Sequence, residues 1–99
     1  MSILYPASYG GQSPLFESPY YVYILSCSDG TYYIGCTTDL NDRMNRHNHG
    51  WVPATCGRLP LTLVMFHVFP DKYLAFKYEK YLKSGSGRAF TKRHLVPSK

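Results

Sequence analysis

Acidic residues are scarce in this chain: six Asp and Glu stand against eleven Lys and Arg, a formal net charge of +5. That balance does not suit a cationic ligand and favours a polyanionic partner, most often nucleic acid, although it says nothing of fold. Cysteine is scarce too. Cys27, Cys36 and Cys56 are odd in number and have no C-x-x-C spacing, so no disulfide framework is expected and a reducing, cytoplasmic setting fits. No apolar run approaches the roughly 18 to 20 residues of a membrane span. The N-terminus has neither the basic start nor the apolar stretch of a signal peptide. Phosphate-cradling and dinucleotide-binding glycine loops are missing, and Gly85 and Gly87 read as terminating a helix. His47, His49, Cys56 and His67 do not have the spacings of a structural zinc site.

Tyrosine, in contrast, is abundant, with ten among 99 residues. "YYVYIL" at 20 to 25 and "GTYYIG" at 30 to 35 lie on either side of a short turn. A core needs no phenol hydroxyls, each of which demands a partner when buried. Residues 1 to 19 are broken by Pro6, Gly10, Gly11, Pro14 and Pro19, and read as a mobile arm with room to dock a protein partner. Residues 20 to 95 read as one folded domain, and 96 to 99 as a tail.

Within the domain, Tyr20 to Ser26 and Thr31 to Gly35 have strand chemistry, joined by "CSDG". A loop centred on Ser28 puts Tyr23 directly opposite Tyr33, both on one side of the hairpin. A short helix over about 39 to 48 follows, N-capped by Thr38 or Asp39 and closed at Gly50. "WVPATCGRLP" reads as an exposed loop. Leu61 to Phe69, apolar on both faces, is expected as a central third strand. A second helix starts after Pro70, its inner face predicted as Leu74, Tyr78 and Leu82. "SGSG" is expected to end it, and "RAFTKRHL" to add a basic helical turn. The order β-β-α-β-α predicts an α+β domain: a small three-stranded antiparallel sheet flanked by helices, with a short C-terminal helix.

On the first helix, Leu40, Arg43, Met44 and His47 share an arc of about 100°. An Arg and a His on the face that meets a sheet are a poor choice for packing, though a solvated border position accounts for each taken alone. Glu79 borders the buried face of the second helix and, taken alone, is equally well a surface carboxylate paired with Lys83.

Taken together these elements resemble the GIY-YIG nuclease family, and in particular its small single-domain bacterial branch related to the nuclease domain of excision repair. "YVY" at 21 to 23 stands where the family has its first triplet, with Tyr21 in place of the glycine. "YIG" at 33 to 35 matches the second triplet. "DRMNRH" at 42 to 47 matches its Arg-x-x-x-His helix, and "YEKYLKSGSGRAF" resembles its glutamate helix and tail. The resemblance implies a metal-dependent endonuclease hydrolysing DNA phosphodiesters, with Tyr23, Tyr33, Arg43, His47 and Glu79 as catalytic residues. Glu79 would hold one Mg²⁺ or Mn²⁺, Arg43 would contact the scissile phosphate, and Tyr23 would take the proton of the attacking water. Arg43, His47 and the metal would favour its phenolate, His47 would relay the proton, and Tyr33 would orient the water. Some relatives carry a later asparagine, for which Ser86 or Thr91 is the available substitute. Lys72, Lys77, Lys80, Lys83, Arg88, Lys92 and Arg93 would contact phosphates, although each alone also reads as a solvated surface cation. With no appended recognition domain in view, single-stranded or structured DNA in repair or recombination is the expected substrate. The alternative is a non-catalytic nucleic-acid-binding or adaptor module on the same fold, for which Glu79 has no use.

Overall fold

The computed structural model describes residues 19–97; the arm expected over 1 to 19, Pro19 apart, and the last two residues of the tail lie outside the described residues. Three strands, β1 (Tyr20–Cys27), β2 (Tyr32–Thr37) and β3 (Leu61–Phe69), form one antiparallel sheet in the order β2-β1-β3. The helices are α1 (Leu40–Asn48), α2 (Lys72–Lys83) and α3 (Gly85–Phe90), and α3 runs into a π-helical turn, Thr91–Leu95. The expected α+β architecture and element order hold.

The central strand is β1, not β3. Four consecutive β1 residues, Val22, Tyr23, Ile24 and Leu25, are buried. Val22 and Ile24 form a core cluster with Ala75 and Leu82 of α2, while Tyr23 meets His47 of α1 on the opposite face. β3 has the two-sided apolar pattern of a central strand but lies at the sheet edge, where Phe66 keeps 44% of its surface exposed.

The hairpin register is one pair beyond the expected one. Tyr23 lies opposite Gly35, and Tyr33 opposite Leu25. The loop centres on Asp29, not Ser28: Cys27 N–H donates to Thr31 O (2.9 Å) and Gly30 N–H to Cys27 O (3.1 Å). Gly30 closes this three-residue loop at φ 85, a left-handed position that favours glycine. Because the shift is by two residues along β2, Tyr23 and Tyr33 stay on one face as a diagonal pair, ring centroids 6.3 Å apart.

Asp39 caps α1, its carboxylate accepting from Asp42 N–H at 3.0 Å. Asp71 caps α2 through Tyr73 N–H at 2.8 Å. The inner stripe of α2 is Ala75, Tyr78 and Leu82, whereas the predicted Leu74 is 49% exposed. Ser84 ends α2 and starts α3: its hydroxyl donates to Tyr81 O (2.6 Å) and accepts from Gly87 N–H (3.1 Å). Gly87 therefore begins a packed second helix and does not terminate the first. A Cβ placed there would lie 1.8 Å from the Tyr81 carbonyl oxygen, whereas one at Gly85 would meet nothing within 4 Å. Gly87→Ala is expected to cost about 2 kcal/mol and lower the thermal midpoint by roughly 10 °C. Gly85→Ala is expected to leave the midpoint unchanged, and thermal unfolding of the two variants checks both.

Candidate active site

The face of the sheet under α1 gathers four of the five residues singled out in the sequence. Tyr23 is fully buried, and its ring lies across Gly35 of the neighbouring strand. A Cβ at Gly35 would sit 2.4 Å from the Tyr23 hydroxyl oxygen. The glycine of "YIG" is thus a seat for the phenol of the first tyrosine, and any larger residue would push the hydroxyl from its place.

The Tyr23 hydroxyl lies 2.9 Å from Nε2 of His47, whose own ring is buried. On the other side of that ring, Nδ1 lies 2.8 Å from Oγ1 of Thr55, which in turn faces the Val52 carbonyl at 3.5 Å. In the tautomer with the proton on Nδ1, the Thr55 oxygen accepts from Nδ1–H and the Thr55 hydroxyl proton points at the Val52 carbonyl, which can only accept. Nε2 then carries the lone pair and accepts from Tyr23 O–H. The loop 51–60, expected to be simply exposed, buries Thr55 completely to make this chain. Nothing in the sequence signals Thr55, an isolated threonine in a Pro- and Gly-containing loop. Tyr33 leans edge-on against the same imidazole, centroids 5.3 Å apart.

Burial pushes the Tyr23 phenol up to about 12, against the pull of the Arg43 guanidinium beside its hydroxyl; the charges of Tyr33 and Glu79 add to the rise. Arg43 thus pulls toward phenolate as expected, but desolvation outweighs it and the phenol is held neutral. His47 is pulled below the ordinary histidine range, first by burial and then by the Arg43 charge, so it too is neutral near pH 7. Arg43 brings a buried Nε–H with no partner among the described residues. Its guanidinium is a donor held ready for an anion.

Glu79, the fifth residue, is carried by α2, which packs on the opposite face of the sheet through Ala75 and Leu82. Its charge acts both on Tyr23 and on Cys36 of β2, and its carboxylate, 22% exposed, pairs with Lys83 Nζ at 2.9 Å. Among the described residues no three His, Cys, Asp or Glu side chains assemble a metal-binding group. A single hard carboxylate such as that of Glu79 does fit Mg²⁺ or Mn²⁺, which keep several waters and use few protein ligands.

Of the seven basic residues, Lys83, Arg88 and Lys92 line a cleft of about 500 Å³ that Tyr33 also borders. Arg93 lines the adjoining cleft with Lys92. Lys72, Lys77 and Lys80 are exposed along α2, outside both clefts. Thr91 lines the first cleft, buried, with a hydroxyl that has no partner among the described residues, while Ser86 is exposed. Of the two candidates for the later asparagine position, only Thr91 borders the cleft beside Tyr33.

Residues 19–93 match the family described as the GIY-YIG catalytic domain. A UPF0213 protein of Streptococcus agalactiae serotype V is 38% identical over 84 residues, covering 81% of this chain and 96% of that protein. One from Halalkalibacterium halodurans is 42% identical over 81 residues, covering 81% and 84%. Among solved structures, the solution NMR structure of a UPF0213 protein from Bacillus halodurans matches with a TM-score of 0.52 and 36% identity, over 80% of this chain and 88% of that one.

Proposed function

Because the chain belongs to the GIY-YIG catalytic-domain family, we propose that it is a divalent-metal-dependent endonuclease acting on single-stranded or structured DNA. The observation that carries the proposal is the buried chain Tyr23–His47–Thr55 with Arg43 beside its outer hydroxyl. A module that only binds nucleic acid gains nothing from a neutral phenol aimed at a neutral imidazole. No helix among the described residues is long and apolar enough to cross a membrane.

The attacking water is proposed to give its proton to the Tyr23 oxygen while Tyr23 passes its own to His47 Nε2. Both groups are then in the right protonation state at neutral pH without a free phenolate, and the proton never rests on a poor base. The water oxygen bonds to phosphorus as the bond to the leaving oxygen breaks. Arg43, through its unpartnered Nε–H, donates to a phosphate oxygen as charge grows there. Thr55 holds the imidazole in the accepting tautomer, and the burial that depresses His47 favours return of the proton to solvent. Tyr33, against the same ring, orients the water. Glu79 would hold the Mg²⁺ or Mn²⁺ ion, which when bound neutralises phosphate charge. The test is the purified protein in Mg²⁺ or Mn²⁺ with single-stranded, branched, nicked and blunt duplex DNA. Internal cleavage of the first two, abolished by chelator, is expected. Cleavage of none overturns the nuclease reading, and equal cleavage of blunt duplex overturns the substrate preference.

A further inference from the structure

We infer that Trp51 is a stacking platform for an unpaired nucleobase of the substrate, an inference that rests on the nuclease reading for its partner. The only tryptophan of the chain is 66% exposed. It is nevertheless fixed in place. The His49 imidazole stacks on one face of the indole, centroids 4.5 Å apart and planes within 25° of parallel. His49 is itself held by Nδ1–H donating to Asn45 O at 2.7 Å, since a carbonyl can only accept. Trp51 N–H donates to Arg46 O at 2.9 Å across the turn at Gly50, whose φ of 76 lets the chain reverse there. Both rings are therefore tied to the last turn of α1, the turn that carries His47.

A large aromatic surface held rigidly in water is costly unless something covers it. The exposed residues that flank it in the chain, Asn48, Pro53, Ala54, Cys56 and Gly57, are small or polar, so the local chain adds no further large apolar side chain of the kind a protein partner would need. A nucleobase is a flat ring of matching size, and aromatic stacking on bases is sequence-tolerant. The net charge of +5 attracts the strand that bears it. Bases inside a blunt duplex have both faces stacked already, so the platform is open only to an unpaired base. It thereby favours single strands and junctions.

Because Trp51 is the sole tryptophan, its fluorescence reports stacking directly, and without metal the measurement is independent of cleavage. Titration in chelator with an oligothymidylate of about twelve nucleotides is expected to quench the emission saturably, while a blunt duplex of equal length leaves it unchanged. Trp51→Ala is expected to weaken oligothymidylate binding about tenfold, measured by anisotropy of labelled DNA, with Trp51→Phe retaining most of the affinity and duplex binding equal in all three. Bound oligothymidylate with unquenched emission, or Trp51→Ala binding as the parent does, overturns this inference alone. Failure of any DNA to bind overturns the nuclease reading along with it.

Discussion

Glu79→Gln is expected to abolish cleavage and leave the fold intact. The substitution keeps the size of the side chain and removes the carboxylate that the proposed reaction uses to hold a metal ion. Loss of the ion's charge neutralisation should cost about 10³-fold or more in single-turnover rate, several kcal/mol of barrier. Stability should change little. The ion pair that Glu79 forms with Lys83 links consecutive turns of α2, and Lys83 is half exposed, so its contribution is about 0.5 kcal/mol. DNA affinity measured in chelator should stay equal to the parent's or rise slightly, because Lys83, which lines the basic cleft, has lost its anionic partner. Thermal unfolding, DNA binding and single-turnover cleavage together separate these effects. A variant that cleaves at the parent rate in the same metal buffer removes Glu79 from the reaction.

Local signals in the sequence were enough for the element order. Asp39 and Asp71 stand where capping chemistry puts them, and Gly50 stops α1 with a positive φ. Spatial order was harder to see. A strand apolar on both faces is expected at the centre of a sheet, yet β3 meets that description and lies at the edge. One of its faces is covered by α2 through Met65 and Phe69, while Leu63, Phe66 and Val68 on the other stay partly exposed, and periodicity cannot tell an apolar face that is exposed from one that is covered. The register shift has a local cause: Cys27 pairs with Thr31 and the left-handed Gly30 closes the loop, which moves its centre from Ser28 to Asp29.

The candidate site was legible in kind but not in its electrostatics. Arg43 and His47 recur at helical spacing, and Tyr23 and Tyr33 at strand spacing, so their shared face follows from the two periods. Thr55 is eight residues from His47 in a loop, where no period operates, and only the fold brings it to Nδ1. The neutral state of Tyr23 escapes the sequence for a related reason. Nearby charges can be guessed from motif order, but desolvation depends on how completely α1 and its loop close over the strand. Here that closure is complete, and burial sets the phenol high.

The two tyrosines should separate under Phe substitution. Tyr23→Phe removes the hydroxyl that links water to His47, and the chemical step should fall by about 10²- to 10⁴-fold. It also leaves the buried Nε2 lone pair without its donor, at a cost of about 1 to 3 kcal/mol in stability, so rates belong to conditions where the variant is folded. Tyr33→Phe keeps the ring against His47 and should lose less, because the proton path survives. The pH dependence distinguishes a relay from a free phenolate. A phenol near 12 acting alone would give a rate that rises with pH throughout the working range. A relay to His47 requires only neutral imidazole, which the protein holds below the ordinary value of about 6.5. The single-turnover rate should therefore be level through neutral pH and fall only in acid, below the ordinary histidine range. Stability should decline in that direction as well: the unfolded chain binds the His47 proton first as pH drops through about 6.5, and uptake that favours the unfolded state destabilises the native one. Measuring cleavage and unfolding over the same pH series keeps the two apart. A parent rate that climbs steadily above neutrality, or Tyr23→Phe with the parent's rate and profile, rules out proton transfer from Tyr23 to His47.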